Sequence, residues 1–213
     1  MILSLASILL RRNVLPKYAN QAPISDMNYA LDFINEYIYP VYPKNENFTI
    51  DRILGCFENA IKRYGVKAVV IDPYNTIEWQ RGKEESDVKY EAKLLNRVKY
   101  FAINPGVHFF LVAHPRKPEV TMNYIKHPPN LYSISGSAHF YNIPEVGLSI
   151  FRRYSDSTME RTDWTEVYIQ KCKFDWIGRT GMIKLKFNMN TRRFEEESQE
   201  EKWYNKDDDE PPF

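Results

Sequence analysis

The spacing of apolar residues along the chain predicts a series of helices. Helices are expected over residues 1–12, 25–37, 49–64 and 87–102, with a short one near residues 135–142. The third is the clearest, because Ile50, Ile53, Leu54, Phe57 and Ile61 recur at helical intervals. Ser25 is a candidate N-cap for the second helix, and Gly65 is expected to end the third.

Two other segments are continuously apolar and have the length of strands. They cover residues 67–72 and 107–113, and such runs are typical of strands buried on both faces of a parallel sheet. A short strand is expected at residues 39–42, and three more at 146–152, 165–172 and 182–187. Helices that alternate with strands and then give way to strands alone predict an α/β fold. We expect a mostly parallel sheet flanked by helices, with a C-terminal β-meander.

Composition and charge divide the chain into a body and a tail. The chain is 43% hydrophobic and 15% aromatic, which is enough for a sizeable core. Residues 195–210 hold nine acids and two lysines, a net charge of −7, so the remainder carries +8. We therefore expect one folded domain over residues 1–194 and a disordered acidic tail over residues 195–213. The basic body also permits a polyanionic partner.

Several classes of protein are not predicted. Cys56 and Cys172 have no ligand-like spacing with the four histidines, which argues against a disulfide framework or a zinc site. The apolar residues 1–10 are too few to span a bilayer, and the arginines that follow them stand on the wrong side for a signal peptide. This stretch is expected to be a buried amphipathic helix. The sequence contains no GxxxxGK[ST], GxGxxG or GxSxG motif.

Polar residues that carry chemistry follow the two apolar strands. Asp72 ends the first and His114 ends the second, so parallel pairing places both at one sheet edge, where ligands of open α/β sheets bind. An aspartate there can hold Mg²⁺ in a nucleotide site, and a histidine can sense a phosphate. A turn-forming aspartate and a satisfied strand-end histidine remain alternatives.

Basic residues form two further candidate sites. Arg116 and Lys117 follow His114 in a Pro-rich loop that suits a phosphate backbone as well as it suits solvent. Lys171 and Lys173 lie two residues apart at a strand end, so alternation places both on one face. Such a pair either stabilises charge on a phosphate or protects an edge strand from aggregation.

Five motifs occur in order along the chain: VVIDPYN (69–75), FLVAHPRKP (110–118), SISGSAHFYN (133–142), GLSIFR (147–152) and QKCKFDWIGRTG (170–181). Together they resemble the superfamily 4 replicative helicases, a group that includes DnaB, phage primase-helicases and Twinkle. The resemblance covers about residues 1–195. It implies a RecA-like P-loop NTPase core. It also implies an N-terminal truncation, because the Walker A loop and the catalytic glutamate of the family would precede Met1.

The resemblance implies a role for each candidate residue at the sheet edge. Asp72 matches the Walker B aspartate, which handles Mg²⁺ beside ATP or another NTP. His114 matches the histidine that contacts the γ-phosphate. Arg116 and Lys117 begin the first DNA-contacting loop of the family. Gly136 and Ser137 belong to the second such loop.

The resemblance also implies roles in nucleotide binding for the C-terminal strands. Arg152 aligns with an arginine near the nucleotide base, and Phe187 offers an aromatic ring there. Lys171 and Lys173 match a basic pair that reaches the ATP of a neighbouring subunit in a ring hexamer. The second member is usually arginine, and lysine lacks its planar bidentate fork.

The function implied for the intact protein is an ATP-dependent replicative DNA helicase that translocates on single-stranded DNA. A primase domain upstream and a bacterial or phage-infected cytoplasm are the expected partner and setting. The chain by itself is expected to bind ATP weakly and to hydrolyse none, because it has no phosphate loop. Two alternatives stay open: a non-catalytic single-strand-binding or oligomerisation module of the same fold, and a RecA-like recombination ATPase.

Overall fold

The computed structural model describes residues 1–15, 22–42, 48–80, 82, 85–116, 128–134, 138–153 and 162–196. The helices are α1 Ile2–Leu10, α2 Ile24–Tyr37, α3 Ile50–Tyr64, α4 Asp87–Ile103 and α5 His139–Asn142. The strands are β1 Ala68–Ile71, β2 His108–Leu111, β3 Val146–Phe151, β4 Trp164–Cys172, β5 Gly181–Asn188 and β6 Arg193–Glu196. Within these ranges no helix has both the length and the apolar character needed to cross a membrane.

The chain divides into two compact units. The first consists of Met1–Ile34, Arg152–Val167 and Ile183–Phe213, and the second of Asn35–Phe151 and Tyr168–Met182. The domain predicted over residues 1–194 thus contains two units. The strands form two sheets, a parallel pair β1–β2 and a sheet in the order β3-β4-β5-β6, in which β5 and β6 are antiparallel. This mixed α/β arrangement confirms the predicted fold class and its C-terminal meander.

The core of the second unit lies between the β1–β2 pair and helices α3 and α4. Apolar residues of both helices form one cluster with Val69 and Ile71 of β1. Helix α3 begins after Thr49 and ends at Gly65, whose φ of 66° is the left-handed conformation that glycine tolerates best. Helix α4 is capped by Ser86, whose side chain accepts a hydrogen bond from the backbone of Lys89.

The prediction that β1 and β2 are buried on both faces is wrong. Val69 is only 4% exposed, whereas its neighbour Val70 is 53% exposed, and Phe110 and Val112 are exposed as well. Successive side chains of a strand point to opposite faces, and α3 and α4 cover only one of them. The other face of the β1–β2 pair, which carries Val70, Phe110 and Val112, is open to solvent.

The first unit joins α1 to the β5–β6 hairpin through side-chain hydrogen bonds. Arg193 Nε donates to the carbonyl oxygen of Ile8 at 2.8 Å, and Asn13 Nδ2 donates to that of Met189 at 3.0 Å. Ala6 is fully buried in α1, but several apolar residues of this helix are exposed, so the predicted burial holds for one side only. Strand β6 extends to Glu196, two residues into the predicted tail, and residues 197–213 lie outside the described residues.

Three local predictions differ from the structure. Residues 39–42 do not form a strand, and the Tyr39 ring instead stacks on that of Tyr64 with centroids 4.2 Å apart. Ser25 is not the N-cap, because α2 already begins at Ile24 and the Ser25 hydroxyl bonds to Asp26. The sequence also did not predict β6.

Candidate functional site

Hydrogen bonds extend the β1–β2 pairing beyond the ends of both strands. The Val112 N–H donates to the carbonyl oxygen of Ile71 at 2.9 Å, and the Tyr74 N–H donates to that of Val112 at 2.7 Å. The His114 N–H then donates to the side-chain oxygen of Asn75 at 3.1 Å. The segments that follow the two strands are therefore joined to each other, as their shared sheet edge predicts.

Asp72 and His114 are both exposed, and both belong to the open side of the sheet. Burial alternates along β1 and β2 and continues through these two residues. Among the described residues, no basic side chain forms an ion pair with the Asp72 carboxylate. A single exposed carboxylate fits Mg²⁺, which proteins commonly hold with one or two carboxylates together with substrate phosphates and water. The described side chains provide no cluster of three or more candidate ligands at this edge.

Tyr74 lies in the same turn but points into the core. It is only 2% exposed, and its hydroxyl has no hydrogen-bond partner in the described structure. Its ring packs edge-on against Phe140 of α5, with centroids 5.1 Å apart. Burial, with further contributions from Glu91 and Tyr90, raises the pKa of the phenol above its usual range. Tyr74 was not among the predicted site residues, yet it connects the Asp72 turn to α5.

The segment after His114 is joined to the residues that precede the second predicted DNA loop. Arg116 is exposed, and its backbone N–H donates to the carbonyl oxygen of Ser133 at 2.9 Å. Ser133 ends a short 3₁₀ turn, Leu131–Ser133, that is closed by reciprocal hydrogen bonds with Asn130. Lys117 and residues 136–137, which are also predicted to contact DNA, lie outside the described residues. The described parts of the two loop segments therefore lie side by side.

The two lysines of the basic pair have different surroundings. The Lys171 ammonium donates hydrogen bonds to the carbonyl oxygens of Tyr141 and, at 3.1 Å, of Asn142. These carbonyls end α5, where a cation also interacts favourably with the helix dipole. Burial lowers the pKa of Lys171, and the nearby positive charges of Lys173 and Lys99 lower it further. The Lys171 ammonium is therefore engaged by carbonyl groups of its own chain.

Lys173 is exposed and follows the last residue of β4. Its backbone N–H donates to the carbonyl oxygen of Glu145 at 2.9 Å, and its ammonium lies 5.0 Å from the ring centroid of Phe174. The positive charge of Lys173 contributes to the lowered pKa of Lys171. Their roles differ all the same, because only Lys171 bonds to α5.

Arg152 and Phe187 both contact one residue of the first unit. The Arg152 guanidinium lies 3.5 Å from the Asp163 carboxylate and also bonds to the carbonyl oxygen of Thr162. The Phe187 N–H donates to the carbonyl oxygen of Asp163 at 3.2 Å, and its ring packs on Phe194. The two residues that are predicted to contact the nucleotide base therefore both lie next to Asp163.

The fold is similar to those of solved replicative helicases. It matches the ATPase domain of G40P with a TM-score of 0.69 and 16% identity, covering 92% of this chain and 69% of that one. It also matches a DnaB-like replicative helicase studied with its primase interactions, with a TM-score of 0.68 and 17% identity, covering 92% of this chain and 47% of that one. The chain therefore has a RecA-like α/β fold.

The sequence is similar to a curated helicase relative as well. It is 31% identical to the Twinkle homolog protein, chloroplastic/mitochondrial, of Arabidopsis thaliana over 160 residues, which is 75% of this chain and 22% of the relative. No protein-family model matches the chain. Sequence and fold together confirm the resemblance to the superfamily 4 replicative helicases, and the chain is a RecA-like domain of that family. It spans only 22% of the length of the Arabidopsis protein.

Proposed function

We propose that this chain forms the nucleotide-sensing and DNA-coupling part of an ATP-dependent replicative helicase motor. The observation that carries the proposal is the backbone connection between the Asp72 edge and the predicted DNA loops. Asn75 holds the amide of His114, and the amide of Arg116, two residues further on, bonds to Ser133. A shift of the His114 backbone on phosphate binding would therefore be passed through Arg116 to Ser133, and so to both predicted DNA loops.

The residues at this edge fit a nucleotide that carries Mg²⁺. The metal, when bound, neutralises charge on the phosphates, and Asp72 would hold it. His114 would contact the γ-phosphate with its exposed imidazole. Arg116 and Lys117 would contact single-stranded DNA, and Gly136 and Ser137 would contribute from the second loop.

We assign different roles to Lys171 and Lys173. Lys171 is bonded to the end of α5, so we assign it to holding that helix in position. Lys173 is exposed and is the better candidate to reach a neighbouring subunit in a ring hexamer. Phe187 would contact the nucleotide base. The Arg152 guanidinium would also contact it after leaving the Asp163 carboxylate, with which it now pairs.

Salt-dependent binding of single-stranded DNA tests the proposal. We expect the purified chain to bind a labelled oligonucleotide with an affinity that falls as salt rises. Arg116→Ala should weaken binding and lower the slope of log affinity against log salt by about 1. Lys62→Ala, which removes an exposed lysine on α3, is the control and should leave the slope unchanged. Binding that is insensitive to both salt and Arg116→Ala would contradict the proposal.

The isolated chain is expected to turn over no ATP. Its 213 residues contain no GxxxxGK[ST] motif, the loop that grips phosphates in this class of NTPase. A steady-state phosphate-release assay on the purified chain checks this. Ordinary turnover that disappears on Asp72→Ala would contradict the expectation.

A second candidate function is a single-strand-binding module of the same fold without ATPase activity. The engagement of Lys171 by carbonyl groups of its own chain favours it. DNA affinity that is unchanged by ATP and Mg²⁺ would support this module, whereas a nucleotide-dependent affinity lost in Asp72→Ala would support the motor. A recombination ATPase is less consistent with similarity to replicative helicases.

The partners and the setting are also proposals. One structural relative was studied for its interactions with primase, which supports a primase domain as a partner of this chain. The curated relative is chloroplastic or mitochondrial. We therefore propose an organelle as a second possible location, beside the expected bacterial or phage-infected cytoplasm.

A further inference from the structure

A glutamine side chain of β4 holds the segment that leads into the second predicted DNA loop. The Oε1 atom of Gln170 accepts a hydrogen bond from the backbone N–H of Leu131 at 2.9 Å, and its Nε2 atom donates one to the carbonyl oxygen of Pro129, also at 2.9 Å. Asn130, between these two residues, has extended backbone with φ of −105° and ψ of 169°. The Gln170 amide therefore pairs with this segment as a peptide group of a neighbouring strand would.

Both bonds lie in partly buried surroundings. Leu131 is only 6% exposed, and Gln170 is half-buried. A polar group that is buried without a partner costs more free energy than a formed hydrogen bond contributes, so the Leu131 N–H and the Gln170 amide depend on each other. Methionine is of similar length but has no N–H and only a weak sulfur acceptor. Replacing Gln170 with methionine therefore removes the connection and changes the occupied volume little.

The segment held by Gln170 is continuous with the bonds that reach Arg116. Leu131 begins the 3₁₀ turn Leu131–Ser133, in which the Ser133 hydroxyl donates to Asn130 Oδ1 at 2.9 Å and accepts from the Asn130 N–H at 3.2 Å. The carbonyl oxygen of Ser133 in turn accepts from the backbone N–H of Arg116 at 2.9 Å. An unbroken series of contacts therefore runs from β4 to Arg116 through one short turn.

We propose that Gln170 is a positioning residue for DNA binding, which holds the 3₁₀ turn where Ser133 fixes the backbone of Arg116. The inference rests on the proposed function, in which Arg116 contacts the phosphates of a single strand. Gln170 carries no charge, so its effect on a polyanion is indirect. Strand β4 ends at Cys172, directly before Lys173. The support of the DNA-contacting segment and the lysine assigned to a neighbouring subunit therefore belong to one strand and the residue that follows it.

The salt dependence of single-strand binding tests this role in the full chain. We expect Gln170→Met to weaken binding of a fluorescein-labelled oligo-dT strand by about 3- to 10-fold, the effect of about one hydrogen bond on an equilibrium constant. It should also lower the slope of log affinity against log salt by up to about 1, although it removes no charge, because Arg116 would no longer reach its phosphate. Gln80→Met replaces an exposed glutamine before α4 and should bind like the wild type.

A double-substitution cycle with Arg116→Ala separates positioning from a general loss of stability. If Gln170 acts through Arg116, adding Gln170→Met to Arg116→Ala should change neither the affinity nor the slope any further. A general loss of stability would weaken binding to the same extent in both backgrounds and would leave the slope unchanged. Fully additive losses with an unchanged slope would therefore overturn the inference.

A second variant tests the same path without changing β4. Asn130→Ala removes the side-chain acceptor that closes the 3₁₀ turn, and Asn130 is exposed, so the fold should tolerate the change. The slope should fall in the same direction as in Gln170→Met, and a wild-type slope would overturn the path through this turn. Hydrogen exchange at the Leu131 amide should be faster in Gln170→Met than in Gln80→Met. Equal exchange rates would also overturn the inference.

The outcomes distinguish this inference from the proposed function. Wild-type affinity and slope in Gln170→Met, together with a loss in Arg116→Ala, overturn the positioning role and leave the proposed function standing. A full chain that binds no single strand, or binds one without regard to salt and Arg116, overturns both. A lowered slope in Gln170→Met that disappears in the Arg116→Ala background supports both.

Discussion

The backbone N–H of His114 donates a hydrogen bond of 3.1 Å to the side-chain oxygen of Asn75, which lies 39 residues earlier in the chain. A regular parallel ladder would offer the carbonyl oxygen of Pro73 to this N–H, but that oxygen accepts from the backbone N–H of Thr76 at 3.2 Å and from its hydroxyl at 2.8 Å. The amide side chain of Asn75 supplies the acceptor instead. It thereby fixes the residue that the helicase resemblance identifies as the phosphate sensor.

Replacing Asn75 with alanine should release the His114 amide. We expect its hydrogen exchange to become faster and the free energy of unfolding to fall by about 1 kcal/mol, the typical value of one hydrogen bond. Asn75→Asp keeps an acceptor and should retain most of the protection. Asn96→Ala removes only a local bond within α4 and serves as the control. Unchanged exchange at His114 in Asn75→Ala would show that the bond does not position this residue.

Removing the Tyr74 hydroxyl should not destabilise the protein. The hydroxyl is buried without a partner in the described structure, and such a group costs free energy that phenylalanine does not. We expect Tyr74→Phe to raise the free energy of unfolding by up to about 1 kcal/mol at neutral pH, measured by urea denaturation. A loss of more than that amount would reveal an unseen hydrogen bond.

The same substitution should change the stability of the protein in alkali. Burial raises the folded-state pKa of Tyr74 above its ordinary value of 10.0. Above that pH the unfolded chain releases the proton while the folded chain retains it, so the free energy of unfolding is unaffected by this group below pH 10.0 and falls as the pH rises further. The urea midpoint of the wild type should therefore fall more steeply than that of Tyr74→Phe. Parallel curves from pH 9 to 11 would contradict this.

Substitutions of Lys171 and Lys173 should differ in their effect on the free energy of unfolding. Lys171→Met removes the cation that bonds to two carbonyls at the end of α5, and we expect a loss of about 1 kcal/mol in the free energy of unfolding. Lys173→Met removes an exposed ammonium and should change stability by less than about 0.5 kcal/mol. Thermal melts of the two variants provide the comparison. Equal melting temperatures would contradict the assignment of Lys171 to a structural role.

Alanine at Gly147 should disturb the packing of β3. A Cβ atom at this position would lie 2.3 Å from Cδ1 of the buried Leu131, so the leucine must move. Overpacking of this kind costs about 1–3 kcal/mol. Gly55→Ala in α3 meets no atom within 4 Å and should instead stabilise the helix by about 0.5–1 kcal/mol. Equal stabilities of the two variants would be the contrary result.

Local chemistry explains which elements could be predicted. The spacing of apolar residues in α3, its cap at Gly65 and the position of β1 all depend on a few neighbouring residues. The placement of Asp72 and His114 at one edge followed as well, because parallel strands align their carboxyl ends. Asn75 and Tyr74 could not be found in this way. Their roles depend on contacts with His114 and Phe140, which are distant in the chain.

The order of apolar runs and motifs was enough to determine an α/β helicase domain and the strand ends that carry its polar residues. The tertiary structure decided which face of each strand is buried, because α3 and α4 cover only one side of β1 and β2. It also decided that Lys171 supports α5 while Lys173 remains exposed. The two lysines are the same residue type, two positions apart, and only the carbonyl groups at the end of α5 distinguish them.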